Sequence, residues 1–361
     1  MSAELDMMID DLRTLVEVES PSRDRAALAR SAEAVASLME RRLGSRPLIV
    51  DGEAGPHVHW KGSAAPEVLV LGHHDTVFPI GTLERRPFAV EGGRATGPGV
   101  FDMKAGIVQA IHAVAALEDS AKVEILITAD EEVGSGTSRA LLEERALACG
   151  SVFVLEPSGD GGCLKTGRKG TGTFEVVISG RAAHAGLEPH LGVNSLVEAA
   201  HQVLEIVRIA SESEGTTVTP TVVAGGTADN VVPAETRIHV DVRVTSADEA
   251  RRVEAAFAAL RPVHPEAMVT VHGRVGRPPM PESASAELMP LATAHDPTIK
   301  GVAVGGGSDG NFTAAVGVAT LDGLGAVGGG AHADHEYVVV ETMPSRAQLL
   351  SAILSARLAS R

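Results

Sequence analysis

The sequence has 361 residues, 44% of them hydrophobic but only 2% aromatic, so it can bury an aliphatic core as one large or two medium domains. Its 31 Lys and Arg against 47 Asp and Glu give a formal net charge of −16, which argues against a nucleic acid as partner. The two cysteines, Cys149 and Cys163, are too few for a disulfide framework. The acidic N-terminus lacks the apolar segment of a signal peptide, and no apolar run is long enough to span a membrane, so we expect a soluble, cytoplasmic protein.

The first 170 residues predict alternating helices and strands. Three apolar segments, 68–71, 123–128 and 152–155, have the continuous Val, Leu and Ile character of strands buried on both faces. Helical patterns surround them, so we expect βαβ units and a mainly parallel sheet with helices on both faces. The predicted elements are helices at 4–19 and 23–43, strands near 48–51, 57–61 and 68–71, a helix from about 103 to 117, the strand 123–128, a helix at about 138–148 and the strand 152–155.

From about residue 171 the pattern changes to alternating strands and amphipathic helices in the order βαββαβ, which is typical of a small two-layer α+β domain. Beyond 278 the α/β character returns. The simplest architecture is therefore an α/β domain with a large mixed, mainly parallel sheet, formed by 1–170 and 279–361, and a smaller inserted domain, 171–278. The last predicted elements are a helix near 284–295, a strand near 301–304, a helix near 309–316, a strand near 318–321 and a helix at about 344–360.

Acidic and imidazole side chains follow each of the three apolar strands. In chain order they are His73 and Asp75, Glu131 and Glu132, and Glu156. Because ligands collect beyond the carboxyl ends of the strands in such sheets, these side chains are predicted to share one polar site. With Asp102 and the histidine-rich segment 332–336, they form a set that suits two divalent ions, most simply zinc, with manganese or cobalt as alternatives. One of two adjacent glutamates can bind an ion while the other acts as general base.

The polar residues of this set lie in four motifs. They are His73-x-Asp75-Thr76-Val77, Gly97-Pro98-Gly99-x-x-Asp102-Met103-Lys104-x-Gly106, Asp130-Glu131-Glu132-x-Gly134-Ser135 and Glu156-Pro157. Taken together these motifs are specific, and they resemble those of the dinuclear-zinc exopeptidase/deacylase family, which includes glutamate carboxypeptidases, acetylornithine deacetylase and succinyl-diaminopimelate desuccinylase. The resemblance extends nearly from end to end of the chain.

The resemblance implies a role for each polar residue of the site. The implied metal ligands are His73 and Glu156 for one ion, Glu132 and His332 for the other, and Asp102 as the bridge between them. Glu131 would be the general acid/base, and Asp75 would fix the tautomer of His73. The family also has a cis peptide bond after its bridging aspartate, here between Asp102 and Met103. The implied reaction is metal-dependent hydrolysis of an amide bond next to a free carboxylate.

The inserted domain contributes to the resemblance as well. Its motifs are Arg181-Ala-Ala-His184-Ala185-Gly186 and Asp229-Asn230-Val231-Val232-Pro233, followed by Gly276-Arg277-Pro278-Pro279 and Gly305-Gly306-Gly307-Ser308-Asp309. They imply a homodimer formed through this domain, in which His184 helps polarise the scissile carbonyl at the partner subunit's site. Asn230, Gly306 and Ser308 would contact the substrate. Arg277 would bind its free carboxylate bidentately, as in the glutamate carboxypeptidase branch.

Several alternatives remain open from the sequence. His74 and His335 compete with His73 and His332 as ligands, although the motif spacing favours the latter pair. Arg277, between glycine and prolines, is equally consistent with a surface turn. The implied substrate is a small peptide or an N-acyl amino acid, so an N-acyl amino acid deacylase or a dipeptidase is an alternative to a glutamate carboxypeptidase. A catalytically silent homologue that binds an amino-acid-like ligand is an alternative of another class.

Overall fold

The computed structural model of the chain describes residues 2–360, which divide between two units that each have a hydrophobic core. The smaller unit comprises Arg168–Met280 together with Gly305–Gly307, and the larger unit comprises the segments on either side. Among the described residues, no helix combines the length and the apolar character needed to cross a bilayer.

Helices and strands alternate along most of the chain. Up to residue 168 they are α1 Ala3–Val16, α2 Arg25–Leu43, β1 Leu48–Val50, β2 His57–Lys61, β3 Val68–His73, α3 Thr82–Arg85, β4 Ala89–Glu91, β5 Arg94–Thr96, α4 Ala105–Ala115, β6 Val123–Thr128, α5 Arg139–Cys149, β7 Ser151–Val154 and β8 Leu164–Arg168. In the smaller unit they are β9 Gly170–Ser179, α6 Ser195–Val207, β10 Thr217–Gly225, β11 Glu235–Val244, α7 Ala247–Ala258 and β12 Met268–Arg277. The last are α8 Met289–His295, β13 Gly301–Val304, α9 Gly310–Ala315, β14 Ala319–Leu321, β15 Gly328–Gly329, β16 Tyr337–Val339 and α10 Met343–Ala359.

The larger unit is organised around a six-stranded sheet with the order β1-β2-β6-β3-β7-β14. Strand β3 pairs in parallel with β6 and β7, and β14 extends the parallel part, whereas β1 and β2 are added antiparallel. The predicted mixed, mainly parallel sheet is therefore confirmed. His73 lies opposite Thr128, and Leu71 lies opposite Val154, so the carboxyl ends of the three strands meet at one edge of the sheet.

Both faces of the sheet are covered by helices, as the unbroken apolar strands predict. Val68 and Val70 of β3 point into a core shared with α1, α2, α4 and α10. The alternate residues Leu69 and Leu71 point into a second core with α5 and α9. All four side chains are fully buried, and each contributes about 1.5–3 kcal/mol through burial. This two-sided packing fixes the end of β3, where the first candidate ligand lies.

Gly72 is part of strand β3, which continues through it to His73 without a turn. A Cβ at this position would lie 2.9 Å from Met103 Sδ and 3.2 Å from Leu155 Cδ1. The position therefore favours glycine because neighbouring side chains pack against the strand, and Met103 comes from the segment that also carries Asp102.

Two predicted helices begin later than expected. The segment Val100–Lys104 is an irregular turn with non-helical backbone angles at Asp102 and Met103, and α4 begins at Ala105. The peptide bond between Asp102 and Met103 is cis, as the resemblance implies. Instead of one helix near 284–295, the chain forms a short turn, Glu282–Ser285, followed by α8.

The smaller unit is a four-stranded antiparallel sheet with the order β10-β11-β9-β12. Apolar residues of β9 and β11 pack against α6 and α7, and the rings of Phe174 and Phe257 stack with their centroids 4.0 Å apart. The predicted βαββαβ order is confirmed. Within residues 2–360, β10 pairs with β11 alone and is therefore an edge strand of this sheet.

Candidate metal centre

His73 ends β3 with its ring buried and one nitrogen committed to the backbone. Its Nδ1 lies 2.9 Å from the carbonyl oxygen of Asp75. A carbonyl oxygen only accepts, so Nδ1 donates and the neutral ring keeps its lone pair on Nε2. This Nε2 lies 3.3 Å from Asp102 Oδ1 and 3.7 Å from Glu156 Oε1. His73 therefore presents a metal-binding lone pair to two carboxylates.

His74, the competing ligand, uses both ring nitrogens elsewhere. Its Nε2 lies 2.9 Å from the carbonyl oxygen of Pro56, and its Nδ1 lies 3.1 Å from Ser31 Oγ. Burial lowers the pKa of His74 to about 4, which keeps the ring neutral. The geometry favours His73 as the ligand and gives His74 a structural role.

A second arm of the site comes from the segment between β15 and β16. His332, at a positive φ of 63°, has its Nε2 3.4 Å from Asp102 Oδ2 and 3.1 Å from Glu132 Oε2. The two oxygens of Asp102 thus face two different histidines, His73 and His332. The arrangement favours His332 over His335 and places Asp102 between the two halves of the site.

The distances and the unpaired atoms fit a pair of metal ions. Two ligands of a tetrahedral zinc ion, each about 2.0–2.1 Å from it, lie about 3.3 Å apart. The four contacts between the imidazoles and the carboxylates measure from 3.1 to 3.7 Å. Within the described chain, three buried ligand atoms have no hydrogen-bond partner: His73 Nε2, Asp102 Oδ1 and Glu132 Oε1. Buried polar atoms rarely lack a partner unless an ion or ligand completes them, so this donor set suits divalent cations of the zinc type.

The electrostatics of the site also favour cations. Burial lowers the pKa of His73, but the close carboxylates of Asp102 and Asp75 outweigh it and raise that pKa well above its usual range. Hydrogen bonds to Asp102 and Glu132 raise the pKa of His332 to about 10. Burial raises the pKa of Asp102, but the two histidines outweigh it and hold that pKa below its ordinary value. The carboxylates therefore attract positive charge, and metal binding has to release protons from the rings.

The buried carboxylate of Asp75 connects the end of β3 to the turn that carries the two glutamates. Its Oδ1 accepts from the Glu131 N–H and its Oδ2 from the Glu132 N–H, each at 3.2 Å. Ser22 Oγ donates to Oδ2 at 2.7 Å. His73 Nδ1 lies 3.4 Å from Asp75 Oδ1 but only 2.9 Å from the backbone carbonyl oxygen of Asp75. The tautomer of His73 is therefore set mainly by that carbonyl, and the carboxylate mainly positions the glutamates.

Glu131 lies beside the ligands at the same edge of the sheet. Its carboxylate oxygen, one nitrogen of His73 and one oxygen of Glu156 all lie within 4.8 Å of one another. The side chain is half-buried. A base that activates water has to lie within hydrogen-bond reach of the attacking oxygen. The carboxylate of Glu131 lies beside the candidate ligands, so a water placed between them would be within its reach.

His184 and Asn230 lie side by side in the smaller unit, and both are exposed. The Asn230 carbonyl oxygen accepts from the Ala185 N–H at 2.9 Å. His184 Nδ1 accepts from the backbone N–H groups of Gly186 and Leu187, at 3.1 and 3.2 Å. In the neutral ring the proton is therefore on Nε2, which makes Nε2 a donor.

Arg277 and the glycine segment are neighbours in the same unit. Arg277 is buried, and a Cβ on Gly307 would lie 2.8 Å from Arg277 Cδ, so the glycine lets the side chain pass. The carbonyl oxygens of Gly306 and Gly307 accept from Arg168 at 3.1 and 3.2 Å. The backbone of these glycines therefore lies close to two arginines of this chain.

Ser308 lies in the larger unit with its side chain fully buried. Its Oγ donates to Asp322 Oδ2 at 2.6 Å and accepts from the Gly310 N–H at 3.1 Å. The hydroxyl therefore helps to hold the start of α9.

Two further residues touch the site, and the sequence motifs give neither of them a role. Ser22 donates a hydrogen bond to Asp75. Glu336 accepts three backbone N–H groups, those of Gly99, Phe101 and Asp102. Both contacts join residues more than 50 positions apart, so no local pattern reveals them.

Comparisons with known proteins agree with this geometry. The sequence model of Peptidase family M20/M25/M40 matches residues 69–356. Carboxypeptidase G2 of Pseudomonas sp. (strain RS-16) is 30% identical over 371 aligned residues, covering 96% of this chain and 88% of that protein. Succinyl-diaminopimelate desuccinylase of Thioalkalivibrio sulfidiphilus (strain HL-EbGR7) is 27% identical over 322 residues, covering 81% and 84%. Aminopeptidase PepT from Bacillus cereus ATCC 10987 has the same fold, with a TM-score of 0.79 and 21% identity over 98% of this chain and 99% of that one.

Proposed function

The chain belongs to peptidase family M20/M25/M40 and is thus a metal-dependent peptidase or amidohydrolase. We propose that it hydrolyses an amide bond next to a free carboxylate, as a glutamate carboxypeptidase does. The observation that carries the proposal is Asp102, whose two oxygens lie 3.3 and 3.4 Å from His73 and His332. The likeness to Carboxypeptidase G2 along nearly the whole chain supports the choice of reaction. Its substrates would be small cytoplasmic peptides or N-acyl amino acids.

Five residues of the larger unit would hold the two ions. The proposed ligands are His73 and Glu156 for one, Glu132 and His332 for the other, and Asp102 for both. Imidazole and carboxylate together suit zinc, and cobalt or manganese would also fit. Such ions, when bound, make water acidic enough to react near neutral pH and polarise a carbonyl oxygen.

Glu131 would move the proton in this reaction. Its backbone is fixed by the hydrogen bond to Asp75, and its carboxylate lies among the ligands. It would take a proton from the attacking water as the new carbon–oxygen bond forms. It would then give that proton to the leaving nitrogen as the amide bond breaks, so one carboxylate acts first as base and then as acid.

His184 would stabilise the negative charge that develops on the carbonyl oxygen. The ring is exposed and carries its proton on Nε2, because Nδ1 accepts two backbone N–H groups. A donor aimed at the developing charge stabilises the transition state more than the substrate. Asn230, next to it, would contact the substrate, and we propose that both act at the metal site of a partner subunit.

Arg277 would select substrates with a free α-carboxylate. Arg277→Ala should raise KM for such substrates by about 10–100-fold, because a bidentate, charge-assisted contact is lost. Arg277→Lys should recover only part of this, since an ammonium group lacks the planar fork. The measurement compares KM for a substrate and for its carboxyl-amidated analogue.

Arg274→Ala is the matched control for Arg277, because Arg274 lies on the same strand with its side chain exposed. It should leave both KM values unchanged. If Arg277→Ala affects the amidated analogue as strongly as the free acid, Arg277 is not the carboxylate contact.

A panel of substrates tests the proposed reaction. It also decides between a glutamate carboxypeptidase and an N-acyl amino acid deacylase, the alternative that the similarity to succinyl-diaminopimelate desuccinylase favours. One metal-loaded sample is assayed with N-acyl glutamates, N-succinyl and N-acetyl diamino acids, and dipeptides. We expect the highest kcat/KM for amides of glutamate. A preference for the succinyl or acetyl compounds would indicate a deacylase instead, and a preference for dipeptides would indicate a dipeptidase. Binding without turnover would indicate a catalytically silent homologue.

We propose a homodimer formed through the smaller unit. Its helix α6 exposes a stripe at helical spacing, which includes Val197 at 56% and Leu204 at 60% exposure. The edge strand β10 exposes Val222 and Val223, about half of each. An unpaired edge strand and an apolar helix face are surfaces that a second copy can cover.

Leu204→Asp tests the dimer. The wild type should have the solution mass of two chains, and this variant should shift it towards one chain and lower turnover, because His184 would act across the interface. Leu147→Asp is a matched control, since Leu147 is also 60% exposed but lies on α5 of the larger unit. A wild-type mass of one chain with full activity would contradict both the dimer and this role of His184.

A further inference from the structure

Glu336 is a fully buried carboxylate that accepts three backbone hydrogen bonds. Its Oε2 accepts from the Gly99 N–H at 3.0 Å, and its Oε1 accepts from the Phe101 and Asp102 N–H groups, each at 2.9 Å. Burial of a charge is costly unless hydrogen bonds compensate it. These three hydrogen bonds come from one short segment, 99–102, and one of them comes from the backbone of Asp102.

The two segments that Glu336 joins each carry a proposed ligand. The first, 99–102, ends at Asp102. The second, 330–336, carries His332, and two turns shape it: the Ala333 N–H donates to the Gly330 oxygen at 2.9 Å, and the Glu336 N–H donates to the Ala333 oxygen at 3.1 Å. These turns connect His332 to Glu336, and the Glu336 carboxylate ties this segment to the backbone that presents Asp102.

We propose that Glu336 is a positioning residue that sets the distance between the Asp102 carboxylate and the imidazole of His332, and thereby the affinity of the metal site. This inference rests on the metal ligands proposed above. A carboxylate suits the task because its two oxygens accept all three N–H groups. An amide side chain offers one accepting oxygen and turns an NH₂ group toward a donor. An aspartate is shorter by one carbon–carbon bond, about 1.5 Å, and falls short of the three N–H groups.

The test measures the dissociation constant for Zn²⁺ by competition with a chromophoric chelator, for wild type, Glu336→Gln and Glu336→Asp. Both variants should bind zinc about 10–100-fold more weakly, as expected when a residue that orients a ligand is removed. The absorption spectrum of Co²⁺-loaded protein should also change, because it reports the ligand geometry directly. If Glu336→Gln does not fold, Glu336→Asp, which keeps the buried charge, still tests the proposal.

Glu198→Gln is the matched control. Glu198 is also a buried carboxylate, and it accepts the backbone N–H groups of Val263 and His264 at 2.9 Å each, but it lies in the smaller unit. This variant should lower the melting temperature without changing zinc affinity or the cobalt spectrum.

The outcomes separate this inference from the proposed function. A wild type that holds fewer than two ions contradicts the proposed ligand set. A wild type with two ions, together with Glu336 variants that keep its zinc affinity and cobalt spectrum, shows that Glu336 only stabilises the fold and overturns the inference. A wild-type affinity of Glu336→Asp alone shows that the charge, and not the reach to the three N–H groups, is what matters, and this also overturns it.

Discussion

Glu131→Gln should keep the fold and both metal ions but lose about 10²–10⁴-fold in kcat, the usual contribution of a positioned general acid/base. The amide has nearly the shape of the carboxylate but cannot take a proton from water. The backbone N–H at this position still donates to Asp75, so the turn that carries Glu132 should stay in place. The measurement is kcat at saturating substrate, with metal content determined on the same sample.

Glu144→Gln is a suitable control, because Glu144 is an exposed glutamate on α5 of the same unit. It should have wild-type turnover. Near-normal turnover of Glu131→Gln would remove Glu131 from the mechanism. Loss of metal from this variant would show instead that Glu131 is itself a ligand. This check is needed because Glu131 lies beside His73 and Glu156.

Asp102→Asn should weaken the binding of both ions by more than about 100-fold. Even the replacement of a residue that only supports a metal ligand lowers metal affinity by about 10–100-fold. The reason is that one carboxylate contacts His73 and His332. Glu156→Gln and Glu132→Gln should each weaken one ion more than the other, because Glu156 contacts His73 and Glu132 contacts His332. Metal content after dialysis at graded metal concentrations distinguishes the three variants.

Asp11→Asn controls for the loss of a buried aspartate. Asp11 is 4% exposed and pairs with Arg42 and His112, at 2.9 and 2.8 Å. The variant should lower thermal stability and leave metal content at the wild-type value. An Asp102→Asn protein that retains both ions would contradict the bridging position of Asp102.

The main architecture could be predicted because its cause is local. The continuous Val, Leu and Ile of β3, β6 and β7 indicate strands buried on both faces, and the switch to alternating strands marks the smaller unit. The start of α8 could also have been placed better. Pro290 lacks an N–H and belongs in the first turn of a helix, so a single helix through 284–295 was unfavourable.

Features that depend on distant partners could not be predicted. Gly72 is required by the sulfur of Met103, which is 31 positions away in the chain, and not by a turn. The choice between His73 and His74 depends on Pro56 and Ser31, which engage the ring of His74. In the same way, no local pattern reveals that Asp322 accepts a hydrogen bond from the Ser308 hydroxyl in the fold.

We expect catalysis to depend on two ions held by one set of ligands. The most direct test removes the metal with a chelator and then follows glutamate release from an N-acyl glutamate as zinc is added back in defined amounts. The metal-free protein should be inactive, and the activity should reach its plateau at two equivalents of zinc per chain. Full activity of the metal-free protein, or a plateau at one equivalent with no second ion bound, would contradict this dependence on two ions.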